Sequence, residues 1–527
     1  MFVFYDTETT GLDKDFTQIL QIGLLFTDDD LNVLASKKLD CRNSPWELPG
    51  PIALLTTGFT PGGVKTSKLS NYEMMQDVSE WLKGQHWPLT FVGYNSIGFD
   101  EPILAQNFYQ NLLPPDLTSS KNPVNSQSNG RADVLYMVET TALYMPGALK
   151  LDELNYYGSP SMTLKNVARQ NGVTLSDADA HDALNDIKAT VGVAKVIKKV
   201  APQIWEQAMK LATVEGVDKF LDDNDIFTHT KFIYSRADKT SVMTSLAGDA
   251  LFDLKTDPAP YLMMSVDELK DVLRSKTDNP FVMVNKGEQP ILMPMDLSDA
   301  VLTEKDDVNL YKRRAKAIKA DRGFIDNIAK AALLVKQEQQ AAAPAAPEKM
   351  PELMMNKAIS TPVQKKLDVW AQEFREAANW HDRAVLAAGF KEHFKDELAA
   401  DASLARFEKL AARLVFEHAP LELTAAKRDY MKKFIASRIL NPDLKAPYMT
   451  IAKARKDLEQ IERLRAKPDS AKWKDVTDTD IRKLKLYYTA MEKEYAGYVT
   501  PKPAANTNVP VLPPVVRKPT AGNIQPK

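Results

Sequence analysis

Apolar and polar positions along the chain follow two rhythms, and they change over along its length. The run Phe2 to Tyr5 is continuous and apolar, as in a short buried strand, and Gln18 to Phe26 reads as a second strand rich in Ile and Leu. Asp28-Asp29-Asp30 forms a turn, and Leu31 to Lys37 alternates as a third strand, so the front of the chain predicts a three-stranded antiparallel meander. Helical spacing follows at Pro51 to Thr56 and at Asn71 to Leu82, where Met74, Met75, Val78, Trp81 and Leu82 repeat. Leu89 to Tyr94 is a strand that runs into Asn95 to Asp100, and Ile103 to Leu112 reads as a helix. Pro114 to Gly130 is a turn-forming loop, and Asp133 to Met145 resumes as strand or helix. Ser161 or Thr163 can cap a helix over Leu164, Val167 and Ala168 that stops at Asn171-Gly172. From Asp182 to Val200, Leu184, Ile187, Val191, Ala194 and Ile197 recur at helical spacing. Strands alternating with helices up to about residue 200 predict an α/β domain with a mixed sheet.

Beyond that point the texture shifts. Phe227 to Arg236, Val242 to Leu246, Tyr261 to Met264, Phe281 to Asn285 and Ile291 to Met293 are short strand candidates, with helices at Val266 to Arg274 and Asn309 to Val335. They suggest a small barrel or curled sheet with helical additions. Gln337 to Pro351, rich in Ala, Pro and Gln, reads as a linker. Residues 356–497 are helical by pattern, with breaks at Pro420, Asn441-Pro442 and Pro468. Pro501 to Lys527 carries Lys502, Arg517, Lys518 and Lys527 and no acid among repeated prolines, the composition of a disordered, basic tail. The expected division is therefore 1–200, 201–336, a linker at 337–355, 356–497 and a tail at 498–527.

Composition narrows this only a little. A chain of 527 residues is too long for one core. Hydrophobic content of 44% and charged content of 26% are ordinary for a globular protein. No stretch approaches ~20 uncharged apolar residues, and no basic and apolar leader precedes the first strand, so neither a membrane span nor secretion is expected. The single cysteine, Cys41, excludes an intramolecular disulfide and any cysteine-based zinc cage and fits a reducing cytoplasm. Lys+Arg 68 against Asp+Glu 70 gives net −2, which neither demands nor forbids nucleic acid, because a basic groove can be local.

Candidate chemistry gathers around acids. Asp6 and Glu8 stand at i and i+2 on the first strand, so both carboxylates share one face. Either they are a solvated strand end, or a cation joins them, since buried like charges raise one another's pKa. Asp100 follows a strand and opens a helix, whose N-terminus favours an anion. Asp186 lies in the first turn or so of the last α/β helix, five residues after His181. Singly, such an acid is usually a cap and such a histidine structural.

Taken together, Asp6-Thr7-Glu8-Thr9-Thr10-Gly11, Asn95 through Phe99-Asp100, and His181 through Asp186 resemble the DEDDh exonucleases in order, spacing and context. The resemblance implies a ribonuclease H-like exonuclease core and metal-dependent 3′→5′ hydrolysis of phosphodiesters. Two divalent ions roughly 3.5–4 Å apart suit a reaction that builds charge on both attacking and leaving oxygens. By resemblance Asp6, Glu8 and Asp186 hold the ions, with Asp6 bridging, and Asp100 acts through metal-bound water. Mg²⁺ is the expected ion and Mn²⁺ a substitute; His181 is the general base. The backbone of Thr9, Thr10 and Gly11 would approach the terminal nucleotide, with Asn95 in the second motif. Leu12 would either wedge under the base or pack in the turn. Thr163, beside Lys165, would either meet the strand or cap its helix.

Outside this core, Leu55 to Pro61, Gly93-Tyr94-Asn95, Asn107-Phe108-Tyr109, Leu246 to Asp249, and Val284-Asn285-Lys286 with Pro290-Ile291-Leu292 resemble bacterial exodeoxyribonuclease I. That family implies an SH3-like β domain and an all-α domain after the core, ringing a basic channel for single-stranded DNA. It also implies processive release of 5′-mononucleotides, in DNA repair and recombination. Channel candidates are Lys121, Arg131, Lys165, Lys286, Lys312, Arg313 and Arg314, with Tyr109 or Trp380 for stacking, although taken singly each reads first as solvated surface. As a set they predict salt-dependent activity. A monomer is expected, with single-stranded DNA as partner and a single-strand-binding protein as a second partner suggested by the tail. The alternatives are an RNA or mixed-substrate 3′ exonuclease of the same fold and a non-catalytic single-strand-binding scaffold. In its departures, the first motif is closer to proofreading subunits, and the Pro114 to Gly130 loop and Thr163 replace more basic or aromatic residues.

Overall fold

The computed structural model describes residues 1–85, 87–116, 118, 128–155, 157–174, 182–233, 235–342, 350–351, 353–354, 359–467 and 473–499. The alternation at the N-terminus becomes β1 (Phe2–Thr9), β2 (Ile19–Thr27) and β3 (Val33–Asp40), paired antiparallel as expected. Helices α1 (Pro51–Thr57), α2 (Gly63–Thr66) and α3 (Asn71–Lys83) lead to β4 (Thr90–Gly93), α4 (Asp100–Gln110), β5 (Gly130–Asp133) and α5 (Val134–Tyr144). Then come α6 (Leu164–Gln170) and α7 (Ala183–Val200). β4 lies parallel to β1 and to β5, so the sheet runs β3-β2-β1-β4-β5 and is mixed.

The strict alternation of β1 decides where chemistry can go. Phe2 and Phe4 point into a core made with α5, α6 and α7, whereas Val3 and Tyr5 point into one made with α3 and α4. Asp6 and Glu8 continue the even-numbered face, so they emerge on the side that α7 covers.

Helices α8 (Pro202–Lys210) and α9 (Val214–Asp223) precede β6 (Phe227–Ile233), β7 (Arg236–Ser245), β8 (Ala250–Asp253), α10 (Ala259–Leu262), α11 (Val266–Arg274), β9 (Phe281–Met283) and β10 (Ile291–Pro294). The five strands form an antiparallel sheet ordered β10-β6-β7-β8-β9, consistent with an SH3-like unit. Two local expectations fail here, and one strand went unread. Tyr261 to Met264 is not a strand: Pro258 and Pro260 preset helical φ angles, and Ala259–Leu262 is a helical turn. The unread strand is β8, which follows the turn at Gly248 (φ +70°) and has only four residues, too short a run to show a period. Asn309 to Val335 is two helices, α12 (Val308–Ala320) and α13 (Arg322–Ala342), because the Asp321 carboxylate accepts the Phe324 N–H at 2.9 Å and starts a new helix. Helix α13 also takes the first six residues assigned to the linker, Gln337 to Ala342, whose Gln, Glu and Ala are good helix formers.

The remainder is helical: α14 (Thr361–Glu376), α15 (Trp380–His393), α16 (Lys395–Ala400), α17 (Ala405–His418), α18 (Ala425–Ile439), α19 (Ile451–Arg465) and α20 (Asp478–Tyr495). These helices return to the first sheet's domain at two places. Tyr72, Tyr109 and Leu112 join a core with α14, α15 and α17, and Leu20, Trp46, Leu48 and Leu54 join one with α18, α19 and α20. No helix among the described residues is long and apolar enough to cross a membrane.

Candidate active site

Asp6 pairs in register with Gly23 of β2, and Glu8 with Gln21. Both β2 residues bring α7 to the acids. The Gln21 side-chain oxygen accepts the Ala183 N–H at 2.8 Å, tying the start of α7 to the sheet. Gly23 leaves room for it: a Cβ there would stand 2.6 Å from Ile187 Cδ1 and 2.9 Å from the Ala183 carbonyl carbon. Asp182 caps α7 through the Leu184 N–H and pairs with Lys38 at 2.5 Å. Asp186 follows in the first turn, and carboxylate oxygens of Asp6, Glu8 and Asp186 all lie within 4.8 Å of one another.

The fourth acid stands near these three. Asp100, the first residue of α4, is buried and accepts the Thr7 hydroxyl at 2.5 Å, which fixes it beside β1, where its charge acts on Asp6. Crowded negative charge marks all of them. Burial, then Asp100, Glu8 and Asp186, raises Asp6 well above the usual carboxylate range. Burial, then Asp186 and Asp100, pushes Glu8 up to about 8. Burial raises Asp100 to about 7 against the opposing Thr7 hydrogen bond. A set of hard oxygen donors held this close, and this reluctant to ionise alone, is what a divalent cation stabilises. The residues therefore fit the expected ion.

The strand end beyond the acids opens into a cavity of about 590 Å³, within the usual range for ligand pockets. Glu8, Thr9, Thr10, Gly11 and Leu12 line one side. Thr9 donates its hydroxyl to the Gly11 carbonyl at 2.8 Å, and the Thr10 carbonyl accepts the Gly50 N–H at 2.8 Å, so this turn is held while Leu12 stays 77% exposed. Asn95, at φ +61°, is fixed by its N–H to Asp133 Oδ1 at 2.7 Å; Asp133 also accepts from the Ile97 and Leu135 N–H groups. Asn95, Thr163 and Lys165 are exposed, the last two at the start of α6. Thr163 occupies the cap position of α6, yet its hydroxyl makes no capping bond; Ser161 receives the Asn166 amide instead. His181 and Lys121 lie outside the described residues.

Most of the expected channel wall is structural. Arg131 forms an ion pair with buried Glu101 and donates to the Gly287 carbonyl, stitching the first domain to the second sheet. Lys286 is spanned by Asp218 at 2.6 Å and Asp249 at 3.3 Å, and Arg314 donates to the Leu254 and Lys255 carbonyls. Tyr109 is buried against Phe407, and Trp380 stacks on His418 at 4.0 Å with Arg383 over it. Lys312 and Arg313 remain exposed on α12. Sequence reading missed Gln21, Gly23, Thr7 and Asp133, which orient the acids and their neighbours; only Asp133, at a strand-to-helix junction, left a legible sign. It also missed the opposite wall of the cavity, which comes from Pro447, Tyr448, Met449 and Lys453.

The exonuclease family model RNase_T matches residues 3–194. Exodeoxyribonuclease I of Buchnera aphidicola subsp. Schizaphis graminum is 26% identical over 363 residues, covering 64% of this chain and 71% of that one. Among solved structures, the exonuclease I of Methylocaldum szegediense superposes with a TM-score of 0.68 at 21% identity, over 93% of this chain and 99% of its own. Escherichia coli exonuclease I in complex with a dA16 oligonucleotide gives 0.66 at 18%, over 93% and 99%. An ExoI/SSB-Ct complex gives 0.66 at 17%, over 95% and 99%. With the acid cluster in place at the end of β1, the chain is an exodeoxyribonuclease I-like 3′→5′ exonuclease whose exonuclease domain spans residues 3–194.

Proposed function

We propose that the chain degrades single-stranded DNA from its 3′ end, releasing 5′-mononucleotides processively by two-metal-ion hydrolysis, as a cytoplasmic enzyme of DNA repair and recombination. The observation that carries this reading is the meeting of Asp6, Glu8 and Asp186 within 4.8 Å, with Glu8 also lining a cavity sized for a nucleotide. Asp6, Glu8 and Asp186 would hold Mg²⁺, with Asp100 supporting them; the bound ions would supply electrostatic stabilisation of the attacking and leaving oxygens. The chain's own residues do the rest. Thr9 to Leu12 receive the terminal nucleotide, and Asn95 faces the incoming strand. His181 is proposed as the base that takes a proton from the attacking water, as the resemblance of the His181-to-Asp186 motif implies. We take residues 1–200 as the catalytic unit, with the sheet of β6–β10 and the helices from α14 onward closing a path for the strand. A single-strand-binding protein is the proposed partner, since a solved structure of an exonuclease I holds an SSB-Ct segment.

Degradation of 5′-labelled and 3′-labelled single strands with Mg²⁺ tests this reading. The wild type should release the 3′ label as a mononucleotide at once and shorten the 5′-labelled strand stepwise. Asp186→Ala should slow both by about 10³-fold or more, the equivalent of several kcal/mol of lost charge stabilisation. Undiminished turnover in that variant would refute the site, and a matched RNA strand degraded as fast as DNA would refute the substrate.

A further inference from the structure

The far wall of the cavity has an aromatic ring held in place by the C-terminal helices. Tyr448 is half-buried and lines the cavity together with Leu12. The Arg438 guanidinium lies over its ring, 4.6 Å from the centroid, and Phe16 meets it edge-on at 5.7 Å. Its hydroxyl accepts the Asn441 amide at 3.2 Å. Arg438 is in turn fixed by Glu47 at 2.8 Å, both side chains being buried, so the support bridges α18 and the segment before α1. Lys453 donates to the Ala446 and Tyr448 carbonyls at 2.9 and 3.1 Å, which pins the backbone of the loop. Gly50 allows the close approach: a Cβ there would lie 2.9 Å from Met449 Cε, while its N–H holds the Thr10 carbonyl.

An aromatic side chain that only glued two units together would have no need to face an open cavity. We infer that Tyr448 is a specificity-determining residue that packs against the 3′-terminal nucleobase, and that the Glu47–Arg438 pair positions it. This inference rests on the reading of the cavity as the 3′-nucleotide seat. It assigns to the helical region a part in recognising the base. Aromatic stacking is tolerant of base identity, so the contact would test for the presence of a base and not for its sequence.

The test compares two short single strands that differ only at the 3′ end, one with an ordinary nucleotide and one with an abasic residue. Tyr448→Ala should raise KM on the ordinary strand by about 5- to 100-fold, the range that base–aromatic stacking supplies, with kcat changed far less. On the abasic strand the same variant should behave like the wild type, because there is no base to lose. Tyr448→Phe keeps the ring and should restore KM on the ordinary strand. Arg438→Met should reproduce part of the KM effect with the same dependence on the base. Equal penalties on both strands would overturn the inference and reduce Tyr448 to a packing residue, as would an unchanged KM. Failure of the wild type to release a 3′ residue from either strand would instead overturn the exonuclease reading on which it rests.

Discussion

Cation binding near neutral pH should expel protons from the acid cluster. Glu8, raised by burial and by Asp186 and Asp100, titrates at about 8. At about pH 7 such a group is roughly nine-tenths protonated in the metal-free protein. Asp6 is shifted in the same direction by the same crowding, so Mg²⁺ binding should release about one proton from Glu8, and apparent affinity should rise about tenfold per pH unit for each proton lost. The sign for stability follows from the direction of the shift. A carboxyl raised from 4.5 to about 8 stabilises the fold fully below the lower value, and that stability is lost as pH climbs through the upper one. Taken alone, Glu8 corresponds to a change on the order of 5 kcal/mol across this window. The metal-free protein should therefore melt at progressively lower temperature between about pH 5 and pH 8, and Mg²⁺ should reverse most of the loss. Calorimetric titration with Mg²⁺ in two buffers of different ionisation enthalpy reads the protons directly, and a pH series of melts reads the stability. Glu8→Gln should remove about one released proton and flatten the pH slope. A binding enthalpy independent of buffer, with a melting temperature flat or rising over that range, would refute the argument.

Two further outcomes follow from residues whose roles the fold assigns. Arg131→Met strips the guanidinium from buried Glu101, so unfolding in urea should show a loss of about 3–5 kcal/mol. The salt dependence of activity on single-stranded DNA should stay unchanged in the same variant, since a phosphate contact would have lowered the slope by about one. Gly23→Ala forces α7 off β2, costing about 1–3 kcal/mol in a thermal melt and weakening Mg²⁺ binding through displacement of Asp186; a variant that binds Mg²⁺ as tightly as the wild type would show that α7 does not set the spacing.

The acids were legible because each stands at a junction the sequence marks: Asp6 and Glu8 where an apolar run turns polar, Asp100 after a strand, Asp186 at a helix start. The same period-two and period-3.6 patterns gave the mixed sheet and most helices. What escaped was whatever depends on distant partners. Arg131 looks like any surface cation until Glu101 and Gly287 are seen around it. Gly23 is one glycine in an apolar strand until α7 lies across it. Tyr448 sits in a loop between two helices, with no local pattern to point at a cavity whose other wall begins at Glu8.

The cavity also sets a timetable. Glu47 and Arg438, which brace its far wall, stand 391 positions apart in the chain. At a synthesis rate of about 5–20 residues per second, roughly 20–80 s pass between the appearance of one and the other. Through the later part of that interval, once residue 186 has been added, the growing chain carries Asp6, Glu8, Asp100 and Asp186 but lacks the ring and the loop that close the seat. An enzyme that destroys nucleic acid thus leaves the ribosome with its acids first and its grip last, and chains released early end without the wall that Tyr448 provides.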